Sequence, residues 1–160
     1  LIHKALLKAF EDGQNIEARS NMMVASTMGA TAFQKGLGAM HSLSHPMGAH
    51  LNAHHGLCNA IVMPYVLIHT KAAIDEKLSH LSRVLDLKKP SFDSALQWTL
   101  SLREKLNIPH TTAAIGFEER HSSELALAAT QDPTAGGNPI PLNLQTTQAL
   151  FERARTGILG

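Results

Sequence analysis

Apolar residues recur at helical spacing along almost the whole chain, and this constrains the fold more than any other feature. In the first segment Ile2, Ala5, Leu6 and Phe10 follow the three- and four-residue spacing of one helix face. No segment sustains the apolar and polar alternation that is typical of a half-buried strand, and no repeat recurs at a fixed period. The pattern predicts an all-α fold, a helical bundle that forms a single domain over residues 1–160.

Capping residues mark where two of the predicted helices begin. Asn15 is expected to cap a long second helix, because an asparagine side chain can accept a hydrogen bond from the first turn. Ser91 is expected to cap an amphipathic helix in the same way, with Trp98, Leu102 and Leu106 pointing inward at four-residue spacing. The sequence therefore predicts helices that begin just after these two positions.

The apolar run 60–67 is predicted to be a central buried helix, because it is apolar on nearly all sides. Pro64 lacks a backbone N–H and should bend this helix or shorten its first turn. A separate helix is expected after the return to polar sequence near His69. The core is expected to include Met23, Leu57, Val62, Leu67 and Leu85.

Composition and charge exclude several classes of protein. Hydrophobic residues at 44% and charged residues at 17% are typical of a globular chain. A formal net charge of +1, with acids and bases interspersed, gives no reason to expect a nucleic-acid or anionic-membrane partner. No uninterrupted apolar run approaches the ~18 residues of a membrane span. The one cysteine, Cys58, favours a reducing compartment, so we expect a cytoplasmic protein.

A histidine-rich stretch from Gly36 to Asn59 suggests chemistry, because neutral imidazole is a common metal ligand. His41 and His45 stand four residues apart, which on a helix places both rings on one face. From spacing alone the pair is half a metal site, two core histidines bonded to backbone carbonyls, or two solvated residues. A zinc hydrolase of the HExxH kind is excluded, because Ser42 stands where that motif needs glutamate. The stretch holds five of the ten histidines: His41, His45, His50, His54 and His55.

His55 can join the other two only if the chain turns back. It follows His41 by fourteen residues, and on one unbroken helix the two would be about 21 Å apart. Pro46 directly follows His45 and should end or kink the first helix, while glycines across 48–56 relax the backbone. The sequence predicts a helix carrying His41 and His45, a short bend, and a second helix that begins near His55.

The run from Gly36 to Leu67, GLGAMHSLSHPMGAHLNAHHGLCNAIVMPYVL, resembles the histidine-rich signature of the iron-containing (group III) alcohol dehydrogenases. The loop DPTAGGNPIPL resembles the family's closing segment, so nearly the whole chain is similar to its helical C-terminal metal-binding domain. This resemblance implies that His41 and His55 are metal ligands and that His45 lies near the nicotinamide and substrate. It leaves His50 and His54 as bystanders in the turn.

The resemblance also implies an activity, reversible hydride transfer between NAD(P) and a small alcohol or aldehyde. In that scheme a divalent metal, Fe²⁺ or Zn²⁺, polarises the substrate oxygen and His45 relays the proton. The family's other two ligands, from a DxxxH helix, and its nucleotide-binding domain have no counterpart in these residues. NAD(P) would thus bind through a domain missing here, and this chain alone is expected to be inactive. A homo-oligomer is possible.

The competing hypothesis is a non-catalytic helical fragment, or an interaction module that reuses the domain. The missing cofactor half favours this hypothesis for the chain taken by itself. A glycine-rich phosphate loop and a DxxxH helix in the upstream coding sequence would distinguish the enzyme from the fragment.

Overall fold

The computed structural model describes all 160 residues, and its regular structure is helical throughout. Four short 3-10 turns lie between or beside the longer helices, and no strand forms. The predicted all-α fold is confirmed. The α-helices are α1 Ile2–Glu11, α2 Ile16–Ala32, α3 Ala39–Leu51, α4 His55–Val84, α5 Phe92–Lys105, α6 Ser122–Gln131 and α7 Leu144–Thr156.

The chain divides into two compact units, Leu1–Gly36 and Leu37–Gly160. In the first unit α1 packs against α2, and the small residues Ala5, Ala18 and Ala25 are buried. Asn15 caps α2 as predicted, since its Oδ1 accepts a hydrogen bond from the N–H of Ala18 at 3.0 Å. The assignment of residues 1–160 to a single domain stays a prediction.

The expectation that Met23 lies in the core is wrong, because its side chain is 73% exposed. Phe10, Val24 and Met28 of the same unit are exposed as well. Two helices packed as a pair can bury only one face each, and alanines occupy that face here. Met23 and Met28 therefore have no cover within their own unit.

In the second unit α4 is the central helix and packs against α3, α5 and α7. Val62 is buried on α4, and Leu85 is buried just after its end, as predicted, whereas Leu57 and Leu67 are half-buried. The rings of Phe117 and Phe151 stack with centroids 5.0 Å apart. The core of this unit is built mainly from Leu43, Met47, Cys58, Val62, Tyr65, Phe117, Leu125, Ala126, Leu150 and Phe151.

Two prolines lie inside helices that the sequence expected them to end, kink or bend. Pro46 does not end α3, which continues to Leu51. Pro64 lies within α4, beyond its first turn. The two helices expected on either side of His69 are one helix of 30 residues. Both prolines are buried. Packing on the surrounding core therefore outweighs the backbone hydrogen bond that each proline removes.

Helix α4 is long and apolar enough to cross a membrane by length and composition, with a mean hydropathy of 1.4 over an 18-residue window. The core helix of a soluble protein passes the same test, and 39% of that window is buried inside the structure. The expectation from the sequence concerned uninterrupted apolar runs, and Asn59, His69 and Lys71 interrupt the apolar residues of this helix.

The later helices follow their predicted signals closely. Ser91 caps α5 by accepting a hydrogen bond from the N–H of Ser94 at 3.1 Å. Trp98, Leu102 and Leu106 are only half-buried, so the inward face of α5 is partly covered. A 3-10 turn, Glu119–His121, leads into α6.

Candidate metal centre

Three of the five clustered histidines meet at one place in the second unit. His41 and His45 lie one turn apart on α3, and His55 is the first residue of α4. The ring centroids of His41 and His45 are 5.8 Å apart, and each of the two is 5.3 Å from that of His55. The helix, bend and second helix that the sequence predicts therefore bring these three imidazoles into one cluster.

The bend between the helices comes six residues after Pro46. Asn52 ends α3 in the left-handed region, with φ of 50°, a conformation that asparagine adopts more readily than most residues. His54 then caps α4, since its Nδ1 accepts a hydrogen bond from the N–H of Leu57 at 3.3 Å. The chain thus reverses over three residues, and this places His55 beside α3.

The two remaining histidines of the stretch have other partners. His54 is occupied as the cap of α4. Nδ1 of His50 lies 3.5 Å from Oε1 of Glu124 on α6, and both side chains are well exposed. The geometry therefore gives each of them a local role outside the cluster.

Asp132 joins the cluster, and the sequence did not single it out. It follows α6, and its Oδ2 lies 2.8 Å from Nδ1 of His45. Its Oδ1 accepts hydrogen bonds from the N–H of Thr134 at 2.8 Å and from the Thr134 hydroxyl at 2.5 Å. An aspartate before proline is a common turn signal, but 87 residues separate it from His45. The turn could have been predicted and the partner could not.

Burial and hydrogen bonding act in opposite directions on Asp132. Burial favours the neutral acid and would raise the pKa of Asp132. The hydrogen bonds from Thr134 and His45 favour the carboxylate and hold the pKa below its ordinary value of 3.8. The side chain is therefore an anion at neutral pH, next to an imidazole.

Asn59 links the two helices of the cluster. It lies one turn after His55 on α4, and its amide nitrogen is 2.9 Å from Nε2 of His55. Its carbonyl oxygen accepts a hydrogen bond from the hydroxyl of Ser44 on α3, at 2.9 Å. The ring of His55 is thus oriented by a side chain that is tied to the neighbouring helix. The four-residue spacing of His55 and Asn59 is a signal that the sequence contained.

His41 is held in the form that binds metals. Burial lowers the pKa of His41, and the positive charge that His55 and His45 can carry lowers it further, with a partial opposing effect from Asp132. A lowered pKa keeps the imidazole neutral, and only neutral imidazole has a lone pair for an ion.

The donor set in these residues fits part of a metal site. No three histidine, cysteine, aspartate or glutamate side chains of the chain converge closely enough to hold an ion. His41 and His55 have centroids 5.3 Å apart; two imidazoles on one ion, each with nitrogen about 2.1 Å from it, have centroids roughly 5 Å apart. Imidazole suits both iron and zinc. The pair therefore fits as two ligands of a larger set.

Comparison with known proteins identifies the family of this chain. The model of the Fe-containing alcohol dehydrogenase family, C-terminal, matches residues 1–155. The chain belongs to the iron-containing alcohol dehydrogenase family and matches the C-terminal part of its members. The family resemblance in the sequence is thereby confirmed.

Two relatives and one solved structure illustrate the match. The chain is 37% identical to 4-hydroxybutyrate dehydrogenase of Cupriavidus necator over 92% of its own length and 40% of that protein's. It is 32% identical to NAD-dependent methanol dehydrogenase of Bacillus methanolicus over 96% of its own length and 42% of that protein's. An alcohol dehydrogenase structure from Oenococcus oeni superposes with a TM-score of 0.89 at 28% identity. The match covers 96% of this chain and 42% of that one. The chain spans about two fifths of the length of these relatives.

Proposed function

We propose that this chain is the metal-binding helical domain of an NAD(P)-dependent oxidoreductase that acts on small alcohols or aldehydes. In this proposal His41 and His55 are metal ligands, and His45 is the catalytic residue that relays a proton. The observation that carries the proposal is the convergence of these three imidazoles, with centroids 5.3–5.8 Å apart, in a chain of this family.

The roles of His41 and His55 follow from what holds each ring. His41 is kept neutral by burial, and the amide of Asn59 orients His55. A divalent metal bound there supplies Lewis-acid polarisation of the substrate oxygen. The family description favours iron, while the imidazole donors accept zinc equally well.

His45 is suited to proton transfer because one of its nitrogens is anchored and the ring keeps access to solvent. Its Nδ1 is bonded to Asp132, and the side chain retains 39% exposure. A general acid or base must reach the substrate by a hydrogen bond or through one water. Nε2 of His45 is the atom that we assign to this transfer.

The substrate and cofactor classes come from the relatives. The proteins from C. necator and B. methanolicus are named for a hydroxy acid and for methanol, and the second is named as NAD-dependent. We extend to this protein the class of small alcohols and aldehydes, with NAD(P) bound by residues outside this chain. A cytoplasmic location and a homo-oligomeric state belong to the same proposal.

The test is metal analysis and turnover of single variants in the full-length protein that contains this domain. His41→Ala and His55→Ala should each lose metal and turnover together. His45→Ala should keep its metal while its kcat falls. His50→Ala, which alters a histidine of the same stretch outside the cluster, is the matched control and should change neither quantity.

Two outcomes contradict the assignment. Metal lost from His45→Ala but retained in His55→Ala would show that the site is the helix pair His41 and His45. Unchanged metal content in all four variants would show that the histidines serve packing or solvation, and would favour a non-catalytic helical module.

A further inference from the structure

The two oxygens of Asp132 have separate hydrogen-bond partners. Oδ1 accepts from both the N–H and the hydroxyl of Thr134, and Oδ2 faces Nδ1 of His45 at 2.8 Å. The side chain is only 13% exposed, so solvent competes weakly for these bonds. The carboxylate plane is thus set by its own turn, and one oxygen remains for the histidine.

This pairing determines which nitrogen of His45 carries the proton. An ionised carboxylate can only accept hydrogen bonds, so Nδ1 of His45 must donate. A neutral imidazole has one N–H, and Nε2 is then left with its lone pair. His45 has no other hydrogen bond in the chain to oppose this choice.

The turn that carries Asp132 is itself fixed to the start of α3, the helix that carries His45. Asn138 Oδ1 accepts a hydrogen bond from the N–H of Ala39, the first residue of α3, at 3.2 Å. A Cβ on Gly137 would lie 1.9 Å from the carbonyl oxygen of Leu37, so the two backbones are in direct contact there. The loop that carries Asp132 and the helix that carries His45 are therefore held together by direct contacts.

We propose that Asp132 is a positioning residue that fixes His45 as the Nδ1–H tautomer, with Nε2 available to accept a proton from the substrate hydroxyl. The catalytic part of this inference rests on the proposed function of His45. The structural part, the tautomer, does not depend on it. Asp132 acts through His45, to which its Oδ2 is bonded.

The experiment uses Asp132→Asn in the full-length protein with its metal. The backbone N–H of Thr134 requires an acceptor, so the asparagine carbonyl oxygen should occupy the Oδ1 position and its NH₂ group should face His45. That NH₂ group donates, and so His45 must change to the Nε2–H tautomer. The readout is the pair of ¹⁵N imidazole shifts of His45, assigned with His45→Ala, at about pH 8, where an ordinary histidine is neutral.

We expect the Nδ1–H pattern in the wild type and the Nε2–H pattern in Asp132→Asn. The kcat of the variant should fall about 10- to 100-fold, by analogy with the loss of the partner that orients a metal-ligating histidine. KM and metal content should stay within about twofold. Glu124→Gln is the matched control, because Glu124 faces His50 as Asp132 faces His45, and it should leave kcat and the His45 shifts unchanged.

The outcomes separate this inference from the function on which it rests. An Nε2–H pattern for His45 in the wild type overturns the inference, and this measurement needs His45→Ala only to assign the shifts, not Asp132→Asn. An unchanged kcat in Asp132→Asn, with the tautomer reversed and with His45→Ala impaired, overturns the positioning role alone. A His45→Ala enzyme with full kcat overturns the proposed function, while the tautomer assignment is still decided by the shifts.

Discussion

Gly137 and Leu37 approach so closely that a Cβ on the glycine would lie 1.9 Å from the leucine carbonyl oxygen. These residues lie a hundred positions apart, in the loop after α6 and just ahead of α3. Asn138 adds a hydrogen bond to the N–H of Ala39 beside this contact. The loop that carries Asp132 is therefore held against the helix that carries His41 and His45.

Gly137→Ala should destabilise the domain, because the neighbour of the new methyl group is backbone and cannot rotate away. Forcing extra volume into such a contact costs about 1–3 kcal/mol. Gly136→Ala is the matched control, since nothing lies within 4 Å of a Cβ at that position. Urea denaturation followed by circular dichroism measures both. Equal midpoints for the two variants would refute the backbone contact.

Arg103→Lys should also lower the free energy of unfolding. Arg103 is a charged side chain with only 4% exposure, and no carboxylate pairs with it. Its guanidinium donates to the carbonyl of Ile61 at 3.3 Å and lies 2.9 Å from Nδ1 of His110. Arg103→Lys keeps the charge and loses the planar fork that reaches both acceptors. We expect a loss of roughly 1–3 kcal/mol.

The control for Arg103→Lys is Lys105→Ala, an exposed change in the last turn of the same helix. Surface substitutions of this kind usually stay within about 0.5 kcal/mol. Denaturant titration gives the free energy of unfolding of each variant, and the two values are compared with the m-value held equal. An Arg103→Lys protein as stable as the control would mean that the guanidinium contacts with Ile61 and His110 do not contribute to the free energy of unfolding.

The parts of the fold that the sequence predicted are those decided by neighbouring residues. Asn15 and Ser91 cap helices because each side chain reaches an N–H three residues ahead. His41, His45 and His55 lie close together because of a helical spacing and a turn within 15 residues of chain. Local geometry was sufficient for these features.

The features that the sequence did not predict depend on contacts between distant segments of the chain. Pro46 does not end α3, and one helix continues past His69, because these segments pack in a core assembled from distant parts of the chain. Met23 is exposed because alanines occupy the only packed face of its helix pair. Asp132 reaches His45 across 87 residues, through a loop whose position depends on Gly137. Tertiary packing decided each case, and no local pattern carries that information.

This chain alone should not bind NADH with micromolar affinity. Gly36 and Gly38 follow a helix and a 3-10 turn, whereas a dinucleotide-binding loop follows a strand. The first N–H of α3, at Ala39, is already bonded to Asn138, so this helix start does not present it to a phosphate. Calorimetric titration of the 160-residue chain with NADH checks this, and a micromolar dissociation constant would contradict it.

Asp132 should make the stability of the domain depend on pH in acid. Its folded pKa lies below 3.8, because the bonds from Thr134 and His45 outweigh burial. The stabilisation from the carboxylate is therefore complete well above pH 3.8 and is lost as the pH falls through the folded pKa. Wild type should exceed Asp132→Asn by roughly 1–3 kcal/mol near neutral pH, the usual range for a hydrogen bond to a charged group. Denaturant titrations from neutral pH into acid should show this difference shrinking, while Glu124→Gln, with its exposed carboxylate, shows little change. A difference that stays constant into acid would mean that the Asp132 carboxylate is not what stabilises the fold.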